Sequence, residues 1–271
     1  MSPYAGLIHR SRQGDRAALE ELIEPHRPAL FAYIFRMVAQ RQDAEDLVQE
    51  VFIRAIQSVG SYRGESSIRT WLYGIATHAC LDHLRSRKRW RVEAQLAGEE
   101  ETVADPQKIG ALQALVTRPD FRFELREHIA FCFTCIGRTL PPEEQAALLL
   151  REVFGFSAQE AAQILGVSEP VSRHRLSAAR ASMIAAFDGL CQLINKTGRC
   201  YQCSSLREMT PEANRGDNLI RIEVAPGVAV TPDSLLDARI AITRDAGLEH
   251  GRSRLMHDAF FAGNSAREQS G

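Results

Sequence analysis

The chain has 271 residues and a mass of 30.2 kDa, enough for about two domains at roughly 100–200 residues each, and its 45% hydrophobic and 25% charged content excludes global disorder. No apolar run approaches the ~20 residues of a membrane span and Met1 to Arg10 lacks a signal-peptide apolar core, so the expected location is the cytoplasm and no membrane partner is expected. Lys and Arg total 33 against 34 Asp and Glu, a formal charge of −1, which is unlike a free-standing tight nucleic-acid binder: any such role needs local patches or a partner that supplies the remaining cations.

To about residue 95 the chain reads as helices. Asp15 is placed to cap a helix through Leu19, Leu22 and Ile23; Pro25 and Pro28 interrupt it, and Leu30 to Val38 starts another apolar run. Asp43 is placed to cap the next helix, with Asp46 three residues on. There Leu47, Val51 and Arg54 share one face, while Asp46, Gln49, Glu50 and Ile53 lie around the other side. Arg63 to Ser67 reads as a loop. Ile68 to Arg85 resumes the helical period through Trp71, Leu72, Ile75, Ala79 and Leu84, and ends in the basic run Arg85, Arg87, Lys88, Arg89 and Arg91.

Residues 92–120 change character. Glu99 to Glu101 is acidic, Pro106 and Pro119 break structure, and one helix is expected around Ile109 to Val116 within a solvated linker. Residues 121–188 are helical again. Pro141, Pro142, Glu143 and Glu144 open a helix, because proline suits the first turn and acids favour the positive end of the dipole. Gly155 breaks it. Ser157 caps Ala158 to Leu165, Gly166 turns the chain, and Ser168 caps a last helix with Pro170 in its first turn. The final ~80 residues are richer in breakers; Leu219 to Val224 reads as a short strand and Asp233 to Asp245 as a helix.

Ser157 to Arg180 has the form of a helix-turn-helix, with glycine supplying the positive φ of the turn. Val171 and Leu176 are expected to face the core. Glu169, Ser172, Arg173 and Arg175 are expected to face outward, where a DNA major groove would lie, and arginine there reads guanine edges or grips phosphate. An ordinary tight helical hairpin has the same form.

Three blocks in order carry more. Asp43-Ala44-Glu45-Asp46-Leu47-Val48-Gln49-Glu50-Val51-Phe52, then Ile68-Arg69-Thr70-Trp71-Leu72-Tyr73-Gly74-Ile75-Ala76 with Asp82 and Arg85, then Leu140-Pro141-Pro142-Glu143 through Arg180, resemble in sequence the small two-domain extracytoplasmic-function type of sigma factor. The resemblance spans nearly all of residues 10–188. It implies region 2 at 10–95, a linker at 96–120, region 4 at 121–188 and an additional Cys-containing regulatory extension at 189–271. It also implies an all-α fold for the two sigma domains, a helical bundle plus a helix-turn-helix, with a small irregular or α+β extension.

By the same resemblance the chain is a transcription initiation factor and not an enzyme. Its partners would be the β′ and β subunits of bacterial core polymerase, promoter DNA, and an anti-sigma factor or other regulator. Asp46, Gln49 and Glu50 would dock on polymerase. Tyr62, Arg63, Ser66, Ser67 and Arg69, beside the basic Arg85, Arg87 and Lys88, would meet the opened minus-ten strand and the duplex backbone, since aromatic and basic groups together hold unstacked bases and phosphates. Trp71 fits core packing better. Ser168, Glu169, Ser172, Arg173 and Arg175 would meet the minus-thirty-five element. His78 stands where the family usually has asparagine, and Pro170 where it commonly has glycine. A stand-alone helix-turn-helix regulator with a sensing tail is the alternative; such regulators lack the first two blocks.

The cysteines are Cys80, Cys132, Cys135, Cys191, Cys200 and Cys203. His128, Cys132 and Cys135 fall on one face of a predicted helix. With a fourth ligand from Cys200 or Cys203, or Cys191 as a further option, they would suit zinc. Thiol exchange between the two Cys-x-x-Cys pairs, or plain burial beside Phe131 and Phe133, fits the same residues. No Ser/His/Asp order, P-loop or dinucleotide glycine signature is present.

Overall fold

The structure, a computed structural model, describes residues 5–62, 64–87, 104–121, 125–191, 194, 197–200, 202–215, 224 and 226–246. It is helical throughout, and among the described residues there is no strand beyond one isolated bridge between Cys191 and Cys200. The expected strand at Leu219 to Val224 lies almost wholly outside the described residues. No helix among them is long and apolar enough to cross a membrane. The chain groups into two compact units, 1–87 with 141–179 and 88–140 with 180–271.

The first unit opens with α1 (Ala5–Arg12), α2 (Arg16–Ile23), α3 (Arg27–Val38), α4 (Arg41–Ser58) and α5 (Ile68–Arg85). Asp15 caps α2, accepting from the Ala18 N–H at 3.0 Å. Asp43 does not cap α4. Gln40 holds that position with extended backbone, and the Asp43 carboxylate instead pairs with Arg87 at 3.1 Å. An ion pair between residues so distant in the chain leaves no mark in local sequence. Helix α3 ends on Ala39 in the left-handed conformation, φ 60°. Its last-turn carbonyls are satisfied from far along the chain, because Gln145 Nε2 donates to Arg36 O at 2.8 Å and Met37 O at 3.3 Å.

The same unit continues through α8 (Pro142–Leu148), a π turn at Leu149–Val153, α9 (Ala158–Ile164) and the first half of α10 (Glu169–Leu190). Its core is aromatic. The Tyr33 ring lies 5.1 Å from that of Tyr73 and 5.4 Å from that of Phe154, and Tyr73 meets Phe156 at 4.7 Å. The buried Tyr33 hydroxyl shares a hydrogen bond of 2.8 Å with Thr77 Oγ1, so burying the phenol leaves no orphaned polar group.

The second unit contains α6 (Pro106–Val116), α7 (Leu125–Gly137), the second half of α10, α11 (Gln202–Met209) and α12 (Pro232–Asp245). Asp105 caps α6, and Thr231 opens α12 with a reciprocal box to Ser234. Leu112, Val116, Phe121, Ile129, Leu206 and Ile242 form one apolar cluster. The residues after 189 therefore help build a core rather than trail from one. The end of α6 is closed by Asn214, whose side-chain amide donates to Arg118 O at 2.7 Å.

Candidate nucleic-acid and polymerase interface

Helix α4 buries Ala44, Leu47, Val48, Val51, Phe52 and Ala55. That choice turns Asp46 and Gln49 to solvent and leaves Glu50 half-exposed, as the periodicity predicts. Glu50 pairs with Arg54 at 2.5 Å, and Asp46 accepts from Gln42 at 3.3 Å. On this acidic strip Ile53 is 54% exposed, an apolar side chain available to a partner surface.

Beside α4 lies an open groove of about 570 Å³, lined by Ser66, Thr70, Trp71, Ile75, His78 and Gln163 among others. The loop before α5 is held from behind. Tyr62 is only 5% exposed; its hydroxyl donates to Ser66 O at 2.6 Å and its ring lies 5.1 Å from that of Trp71, while Arg12 donates to its carbonyl. Burial raises its phenol above the usual range, with Arg12 opposing. The expected roles of the two aromatics are thus exchanged: Tyr62 packs and Trp71 walls the groove. The cause is the Tyr62–Ser66 bond, which folds the tyrosine under its own loop. Ser66 lines the groove. Ser67 caps α5, accepting from Thr70 N–H at 3.0 Å. Arg63 lies outside the described residues.

Arg69 does not reach the groove. Its guanidinium donates to Phe154 O at 2.5 Å and lies 3.8 Å from the centroid of the Phe156 ring. The π turn explains this partner. Its wide loop, closed by Phe154 N–H to Leu149 O at 2.9 Å, carries the chain out of helical register and leaves carbonyls that arginines take up. Arg151 takes that of Phe156 in the same way. At the far end of α5, Arg85 is exposed and near Asp82 (3.1 Å) and Glu143 (3.8 Å). Arg87 sits with Asp43, and Lys88 lies outside the described residues.

Ser157 and Glu160 form a full capping box at the start of α9. These hydrogen bonds, from the Ser157 backbone first, hold the Glu160 carboxyl below its usual range. Gly166 turns the chain at φ +63°, within 4.0 Å of His78 Nε2 measured from where a Cβ would stand. Ser168, just before α10, is exposed, as are Glu169, Arg173 and His174 on it, and Arg175 is half-exposed. Two expectations reverse here. Ser172 is buried (3% exposed) and Val171 is 42% exposed. The inner stripe is Ser172, Leu176, Ala179 and Met183, at helical spacing, so its neighbour Val171 turns outward. His174, exposed as well, follows Arg173 in the chain and shares its outer side with Val171, three residues before it.

In the second unit, His128 and Cys135 are buried and Cys132 and Cys200 half-buried. Burial, assisted by the positive Arg239, holds the His128 imidazole neutral with a pKa of about 4. Among the described residues, no three His, Cys, Asp or Glu side chains converge as a metal's ligands would. The Cys203 side chain lies outside the described residues.

Comparison with known proteins gives two matching family descriptions, sigma-70 region 2 over residues 22–90 and sigma-70 region 4 over residues 132–183. The chain is 30% identical to the RNA polymerase sigma-H factor of Pseudomonas aeruginosa over 184 residues, covering 68% of this chain and 93% of that one. It is 31% identical to the ECF RNA polymerase sigma-E factor of Haemophilus influenzae, covering 64% of this chain and 89% of that one. It is 34% identical to the ECF RNA polymerase sigma factor SigG of Mycobacterium tuberculosis, covering 64% of this chain but only 48% of that protein. The chain thus spans about half the length of that last relative.

Proposed function

Because the chain belongs to the extracytoplasmic-function type of sigma-70 RNA polymerase sigma factors, we propose that it binds bacterial core polymerase in the cytoplasm and directs transcription from specific promoters. It acts by binding rather than by catalysis. The observation that carries the reading is the pairing on one chain of an exposed acid-and-amide face on α4 with a capped helix-turn-helix whose outer face bears Ser168, Glu169, Val171, Arg173 and His174.

In this reading Asp46, Gln49 and Glu50 dock on a basic surface of the β′ subunit, with Ile53 as an apolar contact among them. The groove beside Trp71 accepts an unstacked base of the opened strand, stacked on the indole and hydrogen-bonded by Ser66 or His78. Arg85, Arg87 and Lys88 hold phosphates nearby. In the major groove, Arg173 reads a guanine edge and Val171 meets a thymine methyl. Polymerase supplies most phosphate contacts, so the free chain, with a formal charge of −1, binds DNA weakly and with marked salt sensitivity. The residues after 189 regulate access. Arg180, on the recognition helix, already pairs with Asp237 of α12 at 2.7 Å.

The test is in vitro transcription from a genomic promoter library with bacterial core polymerase, with and without the full chain. Discrete start sites dependent on the chain, with a shared upstream sequence, are the expected result. Tight sequence-specific DNA binding by the chain alone, with no new start sites, overturns the proposal in favour of a stand-alone regulator.

A further inference from the structure

Among the described residues of the second unit, one buried cation has no carboxylate beside it. Arg239, in the middle of α12, is 1% exposed. Among the described residues no Asp or Glu lies within ion-pair distance of its guanidinium. It meets the face of Phe187, with Cζ 4.0 Å from the ring centroid, and its Nη2 donates to Cys191 Sγ at 2.8 Å. Its Nε is buried with no acceptor among the described residues. A buried charge is tolerated when an opposite charge or a strong acceptor faces it. The acceptor facing this one is a sulfur.

Cys191 has a second neighbour of its own kind. It follows directly on α10, and its backbone is bridged in parallel to that of Cys200, whose N–H donates to Leu190 O at 2.8 Å. Backbones paired in this way stand about 4.8 Å apart, inside the ~4.4–6.8 Å between Cα atoms that disulfides span. Cys191 and Cys200 are both thiols here, and Cys200 is the more exposed of the two. This juxtaposition differs from exchange between the Cys-x-x-Cys pairs.

We propose that Cys191 and Cys200 form a reactive dithiol that hydroperoxides oxidise to a disulfide, with Arg239 as the group that positions Cys191. A hydroperoxide transfers its terminal oxygen to the Cys200 sulfur. The S–O bond forms as the O–O bond breaks, and the thiol proton leaves with the departing alkoxide as an alcohol. The Cys191 sulfur, held in place by the guanidinium, then attacks the Cys200 sulfur. The S–S bond forms, the S–O bond breaks, and hydroxide leaves with the Cys191 proton as water. Two thiols lose two electrons, and the hydroperoxide is reduced to alcohol and water. The disulfide sulfur turns toward Cys200, so Arg239 loses its acceptor and α12 loses a tie to the end of α10.

This inference concerns the chemistry of the second unit and does not depend on transcriptional activity. The experiment treats the purified full chain with hydrogen peroxide, alkylates remaining thiols under denaturing conditions, and maps tryptic peptides by mass spectrometry. Lys196 and Arg199 lie between the two cysteines, so the bond would join separate peptides. A Cys191–Cys200 linkage that forms in step with hydroperoxide consumption is expected. Arg239→Met should slow its formation at least about tenfold, the equivalent of losing one hydrogen bond to a charged group, and Arg239→Lys should restore much of the rate. Connectivity in the unaltered chain is read independently of whether the variants fold. A Cys200–Cys203 linkage, a Cys191 that stays reduced while Cys200 is consumed, or stoichiometric zinc that protects Cys200 would each overturn the proposal.

Discussion

The guanidinium of Arg69 reaches across 85 residues of sequence to the carbonyl of Phe154, 2.5 Å away, and stands over the Phe156 ring, 3.8 Å from its centroid. A residue expected to hold promoter DNA therefore joins α5 to the segment that leads into the helix-turn-helix. Arg69→Ala should destabilise the first unit by about 2 kcal/mol, combining a charged hydrogen bond with a partly desolvated cation–π contact. Urea unfolding followed by circular dichroism measures this. A change under about 0.5 kcal/mol would show that the contact carries no energy.

His26 is a neighbour of that arginine and gives the unit a pH dependence. Burial first, and the Arg69 charge second, lower its pKa below the ordinary 6.5. Below pH 6.5 the unfolded chain takes up the proton more readily than the folded one, so stability is lost as pH falls from 6.5 through the lower folded value. His26→Gln should flatten this part of the stability–pH curve. An unaltered slope would place the dependence elsewhere.

The acidic face of α4 can be separated from folding. Asp46→Ala combined with Glu50→Ala removes an exposed i,i+4 pair of roughly 0.3–0.5 kcal/mol and no buried contact. Stability should hold within about 0.5 kcal/mol while affinity for core polymerase falls about tenfold or more. Competition against a labelled sigma factor for core polymerase reads the second effect, and unchanged competition would remove this face from the interface.

On the recognition helix, neighbours should behave differently. Arg173→Ala should cost about 1–3 kcal/mol at its base pair and relax the sequence preferred there, with core binding intact. Ser172→Ala should leave promoter preference as it was, because Ser172 faces inward. Promoter-library transcription with both variants distinguishes them; the reverse pattern would mean that the helix presents its other side to DNA.

The elements that proved legible are those whose signals are local. Ser157, Gly166 and Asp15 each announce a helix end or turn through their own chemistry, and the structure uses them so; Asp105 and Pro106, expected to break structure, instead cap and open α6. What was not legible depends on partners distant in sequence. Asp43 looks like a cap until Arg87 is seen beside it, and Tyr62 looks exposed until its hydroxyl finds Ser66 O. The exchange of Val171 and Ser172 is a rotation of one position, which periodicity over a short helix resolves poorly. The Arg239–Cys191 contact joins two residues 48 positions apart, neither of which belongs to a motif.

The π turn at Leu149–Val153 bears on how this chain tolerates change. A π turn is an α-helix carrying one surplus residue, so deleting one residue there would restore regular α geometry at little local cost. The segment downstream would keep its angular place relative to α8, because the wider winding of the π turn has already absorbed the surplus residue's ~100°. What such a deletion removes is the local widening beside the Phe154 carbonyl that Arg69 takes up. A single-residue deletion here should therefore weaken that tie while leaving the capping box at Ser157 aimed as it is, whereas an equal deletion within α9 would turn everything after it by about 100°.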